Sequence, residues 1–74
     1  MNDERANQSR RVLEFIEKNG SINPMQALNY LSVMRLAARI NDLEKAGHQF
    51  KHELTTGKNR YGETVKYMTY KKVA

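Results

Sequence analysis

The sequence predicts an α+β fold in which three helices are followed by a two-stranded β-hairpin. Apolar residues recur at helical spacing as far as Gly47. Beyond Gly47 the pattern alternates and becomes rich in β-branched and aromatic residues, which is typical of strands. A length of 74 residues allows one small domain with a single core. We expect a flexible N-terminal segment over residues 1–8 and the folded domain over residues 9–74.

The first helix is predicted from about Ser9 to Gly20. Its buried face is formed by apolar residues at the i, i+3, i+4 spacing, namely Val12, Leu13, Phe15 and Ile16. Gly20 ends it, because glycine readily adopts the left-handed conformation found after many helices. We expect Ser21 and Ile22 to form an extended link from which Ile22 enters the core as a one-residue strand.

The second helix is predicted from Asn23 to about Tyr30. Asn23 is a favourable N-cap, and Pro24 fills the first helical position, where its missing N–H costs nothing. Gln26 stands where a capping box places Glu or Gln. The apolar side chains available to pack on the core are Met25, Ala27, Leu28 and Leu31.

The third helix is predicted over residues 32–47, ending at Gly47. At about 100° per residue, its buried seam consists of Leu36, Ile40 and Leu43, with Val33 at the edge. The opposite side carries Met34, Ala38, Asn41 and Lys45. Arg39 lies nearer the seam, where it can pair with Asp42 or with a carboxylate of the first helix.

The remaining chain predicts a hairpin with a long, basic loop over residues 55–62. Because an isolated hairpin is marginal in water, we expect one of its faces to cover the open side of the helical core. The side chains expected to do so are Phe50, Leu54, Val65 and Tyr67.

The net charge of +5 is confined to the C-terminal part of the chain. Residues 1–44 carry six basic and six acidic side chains, whereas residues 45–74 carry seven basic and two acidic ones. A segregated positive field attracts polyanions, most often nucleic acid, although acidic proteins and anionic membranes satisfy the same physics.

Composition argues against several classes of function. No apolar run approaches the roughly 20 residues that span a bilayer, and no signal-peptide core is present, so we expect a cytoplasmic protein. The absence of cysteine excludes disulfides and cysteine-based zinc sites. His48 and His52 would stand about 13 Å apart on a strand, too far to share a metal ion. With no catalytic triad or phosphate-cradling glycine loop, we expect no enzyme, no cofactor and no metal.

Three segments carry a resemblance to a known family. They are GSINPMQAL at 20–28, RLAARINDLEKAG at 35–47 and RYG at 60–62. Over about residues 10–70 the chain resembles small winged helix-turn-helix proteins of bacteriophages and prophages. The resemblance implies that the third helix enters the major groove of double-stranded DNA while the hairpin, or wing, contacts the backbone or minor groove. Ser32 departs from the glycine common in such turns, so the turn is reshaped or Ser32 caps the third helix.

The candidate DNA contacts of the third helix lie on its outer face and in its first half, from which base edges are read. They are Ser32, Val33, Met34, Arg35, Ala38 and Arg39. Arg35 is the strongest, because a guanidinium can pair bidentately with guanine O6 and N7. A solvated surface charge is the alternative for Arg35. For Arg39 we favour a role in bracing the fold.

Further candidates lie at the wing tip, where Lys58, Asn59 and Arg60 would position phosphates, unless the tip is merely a solvated loop. Asn23, with the N–H groups opening the second helix, is a possible phosphate site, although its role as a cap explains it equally well. Three tyrosines interleave with the basic residues as a possible platform for single strands or RNA, namely Tyr61, Tyr67 and Tyr70. Alternatively, these tyrosines fill the small core or cover a face of the hairpin, and we prefer this interpretation for Tyr67.

Two functions follow from these features. The first is a phage-type DNA-binding protein, acting as a transcriptional regulator or as an accessory factor for replication, excision or packaging. The second is a protein-binding module or inhibitor that docks on a host or phage protein, because Met34 and Ala38 would form a small apolar patch. The same patch could serve an oligomer interface, so both a monomer and a homodimer stay open.

Overall fold

The computed structural model describes residues 3–73, and describes side chains from Ala6 to Val73. The predicted α+β class is confirmed, with three helices and a three-stranded antiparallel sheet. In chain order the elements are α1 Asp3–Asn19, β1 Ser21–Ile22, α2 Pro24–Leu31, α3 Leu36–Lys45, β2 Phe50–Lys58 and β3 Thr64–Lys72. Within this described part, no helix has the length and apolar character required to cross a membrane.

Helix α1 begins at Asp3, earlier than the expected start at Ser9. Residues 3–8 contain neither glycine nor proline, so nothing in them interrupts the helix. Gln8 connects this added length to α3, because its Oε1 accepts a hydrogen bond from Arg39 Nη1 at 3.3 Å. The expected boundary between residues 8 and 9 therefore lies inside α1 and not at its start. Residues 1 and 2 of the expected flexible segment lie outside the described residues.

The sheet has the strand order β1-β3-β2, so the hairpin gains a third strand that the sequence predicted only as a single residue. Ile22 is fully buried and pairs with Tyr70 of β3. The pairing continues through a hydrogen bond of 3.0 Å from the Lys72 N–H to the Gly20 carbonyl. This short strand satisfies backbone groups that would otherwise be unpaired along one edge of β3.

The predicted start of α2 is confirmed as a capping box. Asn23 Oδ1 accepts a hydrogen bond of 2.8 Å from the Gln26 N–H, and Gln26 Oε1 accepts one of 3.0 Å from the Asn23 N–H. The predicted packing of α2 is only partly correct. Ala27 is buried and Leu31 half-buried, but Met25 and Leu28 are 64% and 46% exposed. An eight-residue helix contacts the core along one narrow side, which leaves these two side chains outside.

The third helix begins at Leu36, so the prediction that it starts at residue 32 is wrong. Ser32 instead ends α2 in the left-handed conformation, with φ 57° and ψ 36°. Its N–H bonds to the Leu28 carbonyl at 3.2 Å, and the Val33 N–H bonds to the Ala27 carbonyl at 2.9 Å. The first of these is the bond of an αL C-cap, in which the left-handed residue bonds to the carbonyl four residues back, and with the second it reverses the chain before α3. The turn therefore has the left-handed geometry that glycine usually adopts, although the residue at this position is serine.

The core lies between the helices and one face of the sheet. Among the described residues its buried members are Val12, Ile16, Ile22, Ala27, Val33, Leu36, Ile40, Leu43 and Tyr70. This confirms the predicted seam of the third helix. Phe50 packs against the core as expected, and the hairpin's further contributions come from Tyr70 and Met68.

Two residues expected to cover the core are exposed instead, Leu54 to 62% and Val65 to 36%. A nine-residue strand extends about 30 Å, whereas the ten-residue helix α3 is about 15 Å long. The half of the hairpin near its tip therefore projects beyond the core. Val65 also pairs with Gly57 on the face opposite Tyr70.

Candidate nucleic-acid interface

The wing tip is a loop of residues 59–63 that is closed by its own hydrogen bonds. The Gly62 N–H bonds to the Asn59 carbonyl and the Asn59 N–H bonds to the Glu63 carbonyl, each at 3.0 Å. Gly62 has φ 79°, a left-handed value that favours glycine. The chain therefore makes a β-turn whose two central positions are Arg60 and Tyr61.

The side chain of Asn59 completes this loop. Its Oδ1 accepts hydrogen bonds from the N–H groups of Tyr61 at 2.9 Å and Glu63 at 3.0 Å. Its Nδ2 donates to Glu63 Oε1 at 2.9 Å. These three bonds engage the amide within the loop, so Asn59 holds the wing in shape rather than presenting a free side chain.

Positive charge is unpaired near the wing tip, whereas Glu53 pairs with Lys51 and Lys71 nearer the base of the hairpin. Near the tip, Arg60 and Lys66 are exposed and have no ionic partner among the side chains described, those of residues 6–73. Lys58 Nζ donates only to Thr64 Oγ1, at 3.1 Å. At the base, Glu53 Oε1 lies 2.9 Å from Lys71 Nζ. This hydrogen bond and the charge of Lys71 lower the pKa of Glu53.

Two shallow grooves connect the wing to the start of both later helices. One is lined by Pro24 and Met25 of α2 together with Lys58 and Tyr67 of the hairpin. The other is lined by Pro24, Met34, Arg35, Ala38 and Tyr70. Pro24 borders both grooves, so the start of α2 adjoins both the hairpin and the approach to α3. We call the surface of these three parts the contact face.

The residues predicted at the start of the third helix separate into exposed and buried positions. Met34 is 84% exposed, and Arg35 is exposed at the N-cap of α3, where its side chain makes no cap hydrogen bond. Ala38 is half-buried beside them in the groove. Val33 is only 1% exposed, so its prediction as a DNA contact is wrong. Ser32 is exposed, but its evident role is the left-handed turn.

Arg39 adopts the bracing position that the sequence favoured. Its Nε lies 3.1 Å from Asp42 Oδ2, and the side chain is only 12% exposed. The same guanidinium donates to Gln8 on α1. These contacts give Arg39 a structural role, and we do not count it as part of the contact face.

Asn23 is likewise accounted for by its capping box, which uses its Oδ1. The three tyrosines do not form one stacking platform. Tyr70 is only 6% exposed, Tyr67 is half-buried with its ring against Gly57, and Tyr61 is 81% exposed at the wing tip. Tyr61 therefore joins the contact face. Its position before a glycine in a turn is the sequence signal that marks it.

The two histidines make contacts with other parts of the fold. His52 Nε2 lies 2.7 Å from Glu44 Oε2, and its ring packs edge-on against Tyr70 with centroids 5.0 Å apart. His48 stacks on Phe50. In the described ranges no group of three or more His, Asp or Glu side chains is placed to hold a metal ion.

Comparison with known proteins gives one family match, to the winged helix-turn-helix domain, over residues 7–71. Neither the curated proteins nor the solved structures contain a match to the chain. The matched range includes the helices α2 and α3, the turn between them and the wing up to its last strand. The chain belongs to the winged helix-turn-helix domain family.

Proposed function

We propose that this chain is a non-enzymatic, phage-type DNA-binding protein that docks on double-stranded DNA through its contact face. The observation that carries the proposal is the position of Pro24 on both grooves, which places the approach to α3 and the hairpin next to the same residue. A duplex can meet a groove-reading helix and a backbone-clamping hairpin at once only when both lie on one side of the protein.

The approach to α3 would supply the base contacts. The major groove is about 12 Å wide and admits one helix, entered here by the N-terminal end of α3. Arg35 stands at that end with its side chain exposed and can pair bidentately with guanine O6 and N7. Met34 and Ala38 lie beside it and can offer apolar contact to a thymine methyl group. This is a small set of base contacts, so sequence specificity would be limited.

The wing would supply most of the affinity. Helix α3 adds little net charge, because Arg39 is paired with Asp42 and Lys45 is offset by Glu44. By contrast, Lys58, Arg60 and Lys66 are exposed near the wing tip and make no ion pair within the described chain. Such cations bind phosphates with little regard to sequence.

Equilibrium binding of a labelled random-sequence duplex, measured across a range of salt concentrations, tests the proposal. If basic side chains neutralise about four phosphates in all, log K should fall against log salt with a slope of about −3.6. No duplex binding at low salt, or a flat salt dependence, would contradict DNA binding.

Charge reversal locates the contact. Lys58→Glu and Lys66→Glu should each weaken binding to all sequences alike. Lys18→Glu is the matched control, because Lys18 is an exposed lysine on the last turn of α1 and borders a different groove. It changes the net charge by the same amount away from the contact face. An equal loss of binding in all three variants would show only a general charge effect.

The biological role follows from the motifs at residues 20–28, 35–47 and 60–62, which resemble phage proteins. On that ground we propose a cytoplasmic regulator of transcription or an accessory factor for replication, excision or packaging. Selection of bound duplexes from a random pool is the test. Enrichment of a motif supports a sequence-specific regulator, and retention without enrichment supports an accessory role.

A protein-binding module is the second candidate, because two apolar side chains are exposed on the contact face. Met34 is 84% exposed and Met25 is 64% exposed. Methionine is adaptable and common at protein-binding surfaces. Failure to recover any duplex from the pool would favour this candidate. Sedimentation of Met34→Ser beside the natural chain would show whether Met34 instead holds a homodimer together.

A further inference from the structure

Strand β2 is the outer strand of the sheet. In the order β1-β3-β2 its inner side pairs with β3, and within the described part of the chain no further strand pairs with its outer side. The strand is nine residues long, whereas strands of about five to six residues are the most common. A long edge with unpaired N–H and C=O groups is a template for another strand. The edge of β2 is therefore a candidate interaction surface.

The backbone groups on this edge belong to the even-numbered residues of β2. At the wing tip the Asn59 N–H bonds to the Glu63 carbonyl, so residue 59 directs its backbone groups towards the opposite strand. Hydrogen-bonded and non-hydrogen-bonded pairs alternate along an antiparallel ladder, so the other odd-numbered residues of β2 also face β3. The N–H and C=O groups of Phe50, His52 and Leu54 consequently point out of the sheet.

The same edge carries apolar surface that the chain itself leaves uncovered. Leu54 lies on the face of the hairpin that also carries Tyr70, yet its side chain is 62% exposed. Phe50 lies on that face four residues earlier, half-buried against the core. An apolar side chain beside unpaired backbone groups favours association with a further strand. A partner strand that suits this edge would cover both side chains at once.

We propose that β2 pairs antiparallel with β2 of a second copy of this chain, about a two-fold axis at His52. The two sheets would then become one, and the chain would be a homodimer. In this register Leu54 of each copy lies opposite Phe50 of the other. The outward groups of these residues and of His52 form about six backbone hydrogen bonds. Such a contact uses the same surface on both copies and is complete with two chains. The inference is independent of DNA binding.

Charge complementarity indicates that a second copy is the partner. On the face turned away from the core, Lys51 lies opposite Lys71 of its own chain, which is a like charge. Across the proposed axis it lies opposite Glu53 of the second copy. Directly facing opposite charges stabilise a pair of strands, whereas like charges destabilise it. Within one chain the contact between Lys51 and Glu53 is long, at 3.9 Å, and Lys51 is 67% exposed, so its ammonium group can reach the second copy.

The axis itself is compatible with the two histidines that meet there. His52 Nε2 lies 2.7 Å from Glu44 Oε2, so each imidazole has a carboxylate of its own chain beside it. A register centred on Leu54 would make more backbone hydrogen bonds. It would, however, place Lys51 opposite glycine and Glu53 opposite threonine, with no opposite charges facing. The side chains therefore favour the register about His52.

Sedimentation equilibrium of the full chain without DNA measures the association. A contact along one strand is small, so we expect a reversible equilibrium in which the average mass rises from that of one chain towards that of two as concentration increases. Met34→Ser and Tyr30→Ser are controls that remove exposed apolar side chains elsewhere, and they should leave the equilibrium unchanged. A folded chain that stays monomeric, assembly beyond two chains, or loss of the dimer in either control overturns the inference.

Exchange of charges tests the partner and the register together. Lys51→Glu places acids opposite each other, and Glu53→Lys places bases opposite each other, so each variant should weaken self-association by about tenfold. A mixture of the two variants should form a heterodimer, because the facing charges are again opposite. The double variant should recover the homodimer for the same reason. Circular dichroism shows that each variant is folded. Failure of both the mixture and the double variant to dimerise overturns the proposed register.

Single cysteines locate the axis, because the natural chain contains no cysteine. Facing residues of a hydrogen-bonded antiparallel pair have Cα atoms about 5.5 Å apart, within reach of a disulfide. His52→Cys should therefore form a linked dimer on mild oxidation. Leu54→Cys should not, because its two copies would be about 13 Å apart along the strands. The reverse result overturns the inference. None of these outcomes bears on DNA binding, which the salt titration tests separately.

Discussion

Arg39 Nε lies 3.1 Å from Asp42 Oδ2 on α3, and the two side chains are only 12% and 17% exposed. The same guanidinium also reaches Gln8 on α1. One arginine thus joins α3 to α1, and an arginine that the sequence predicts as a DNA contact instead braces the fold.

The first prediction concerns this arginine. Arg39→Ala should lower the free energy of unfolding by about 1–2 kcal/mol, because it removes charge-assisted hydrogen bonds at a partly buried site. Urea denaturation measures the change. Arg35→Ala is the control and should cost less than about 0.5 kcal/mol, since Arg35 is exposed and unpaired. Equal losses for the two variants would contradict the bracing role.

Arg35 should control discrimination between DNA sequences. If its guanidinium pairs with guanine, Arg35→Ala should reduce the preference for the selected motif by about 1–3 kcal/mol while binding to random duplex falls only slightly. Competition binding measures both quantities. Arg35→Lys keeps the charge and loses the bidentate geometry, so it should resemble alanine in specificity and the natural chain in salt dependence. A lysine variant with full specificity would refute the pairing.

Ser32 pays a conformational cost that glycine would not. Its φ of 57° lies in the left-handed region, where a side chain adds about 1–2 kcal/mol of strain. Glycine removes the strain but has greater freedom in the unfolded chain, so Ser32→Gly should raise the free energy of unfolding by up to about 1 kcal/mol and with it the midpoint of thermal unfolding. Ser32→Val should lower it. Unchanged stability in both variants would show that the left-handed turn is absent in solution.

Tyr70 should make stability sensitive to alkaline pH. Burial, and next the negative charge of Glu44, raises the pKa of Tyr70 above its ordinary value of about 10. The neutral phenol is therefore favoured in the folded state. Its contribution to stability is fully present below pH 10 and is lost as the pH rises through the raised pKa.

The comparison with Tyr70→Phe tests this prediction, because phenylalanine keeps the ring and removes the ionisable group. Lysines also lose their charge near this pH, so the useful quantity is the difference in unfolding free energy between the two proteins. We expect that difference to be constant up to about pH 10 and then to shift in favour of the variant. A constant difference up to pH 11.5 would contradict a raised pKa.

Local sequence signals predicted the parts of the fold that depend on neighbouring residues. The Asn23-Pro24-Gln26 start of α2 is confirmed by its two capping hydrogen bonds. The helix endings at Gly20 and Gly47 are confirmed by left-handed φ values of 88° and 108°. In each case the interacting groups lie within a few residues of one another, so their spacing in the chain defines the structure.

The start of the third helix shows where such signals fail. Val33 and Leu36 are three residues apart and both are buried, so their spacing is that of one continuous helix. In the structure the left-handed C-cap at Ser32 separates them, because α2 must end and reverse direction for both side chains to enter the same core. Periodicity alone cannot distinguish a buried turn from a buried helix.

The sequence predicted the basic character of the candidate site, but it predicted only some of the residues that are exposed there. The excess of basic residues and their position in the wing follow from the sequence. Three other features depend on which groups meet after folding. Asn59 is hydrogen-bonded within the loop, Val33 is buried and Tyr61 is exposed.

The sequence by itself determined the class of the fold, the caps of α2 and the basic character of the wing, since all of these arise from local spacing or composition. The tertiary structure alone decided that the hairpin and the approach to α3 meet at the start of α2. Pro24 lies more than thirty residues before Lys58 and ten before Met34, yet it borders grooves that contain both. Contacts between residues so distant in the chain are selected by the packing of the whole core, which no short segment encodes.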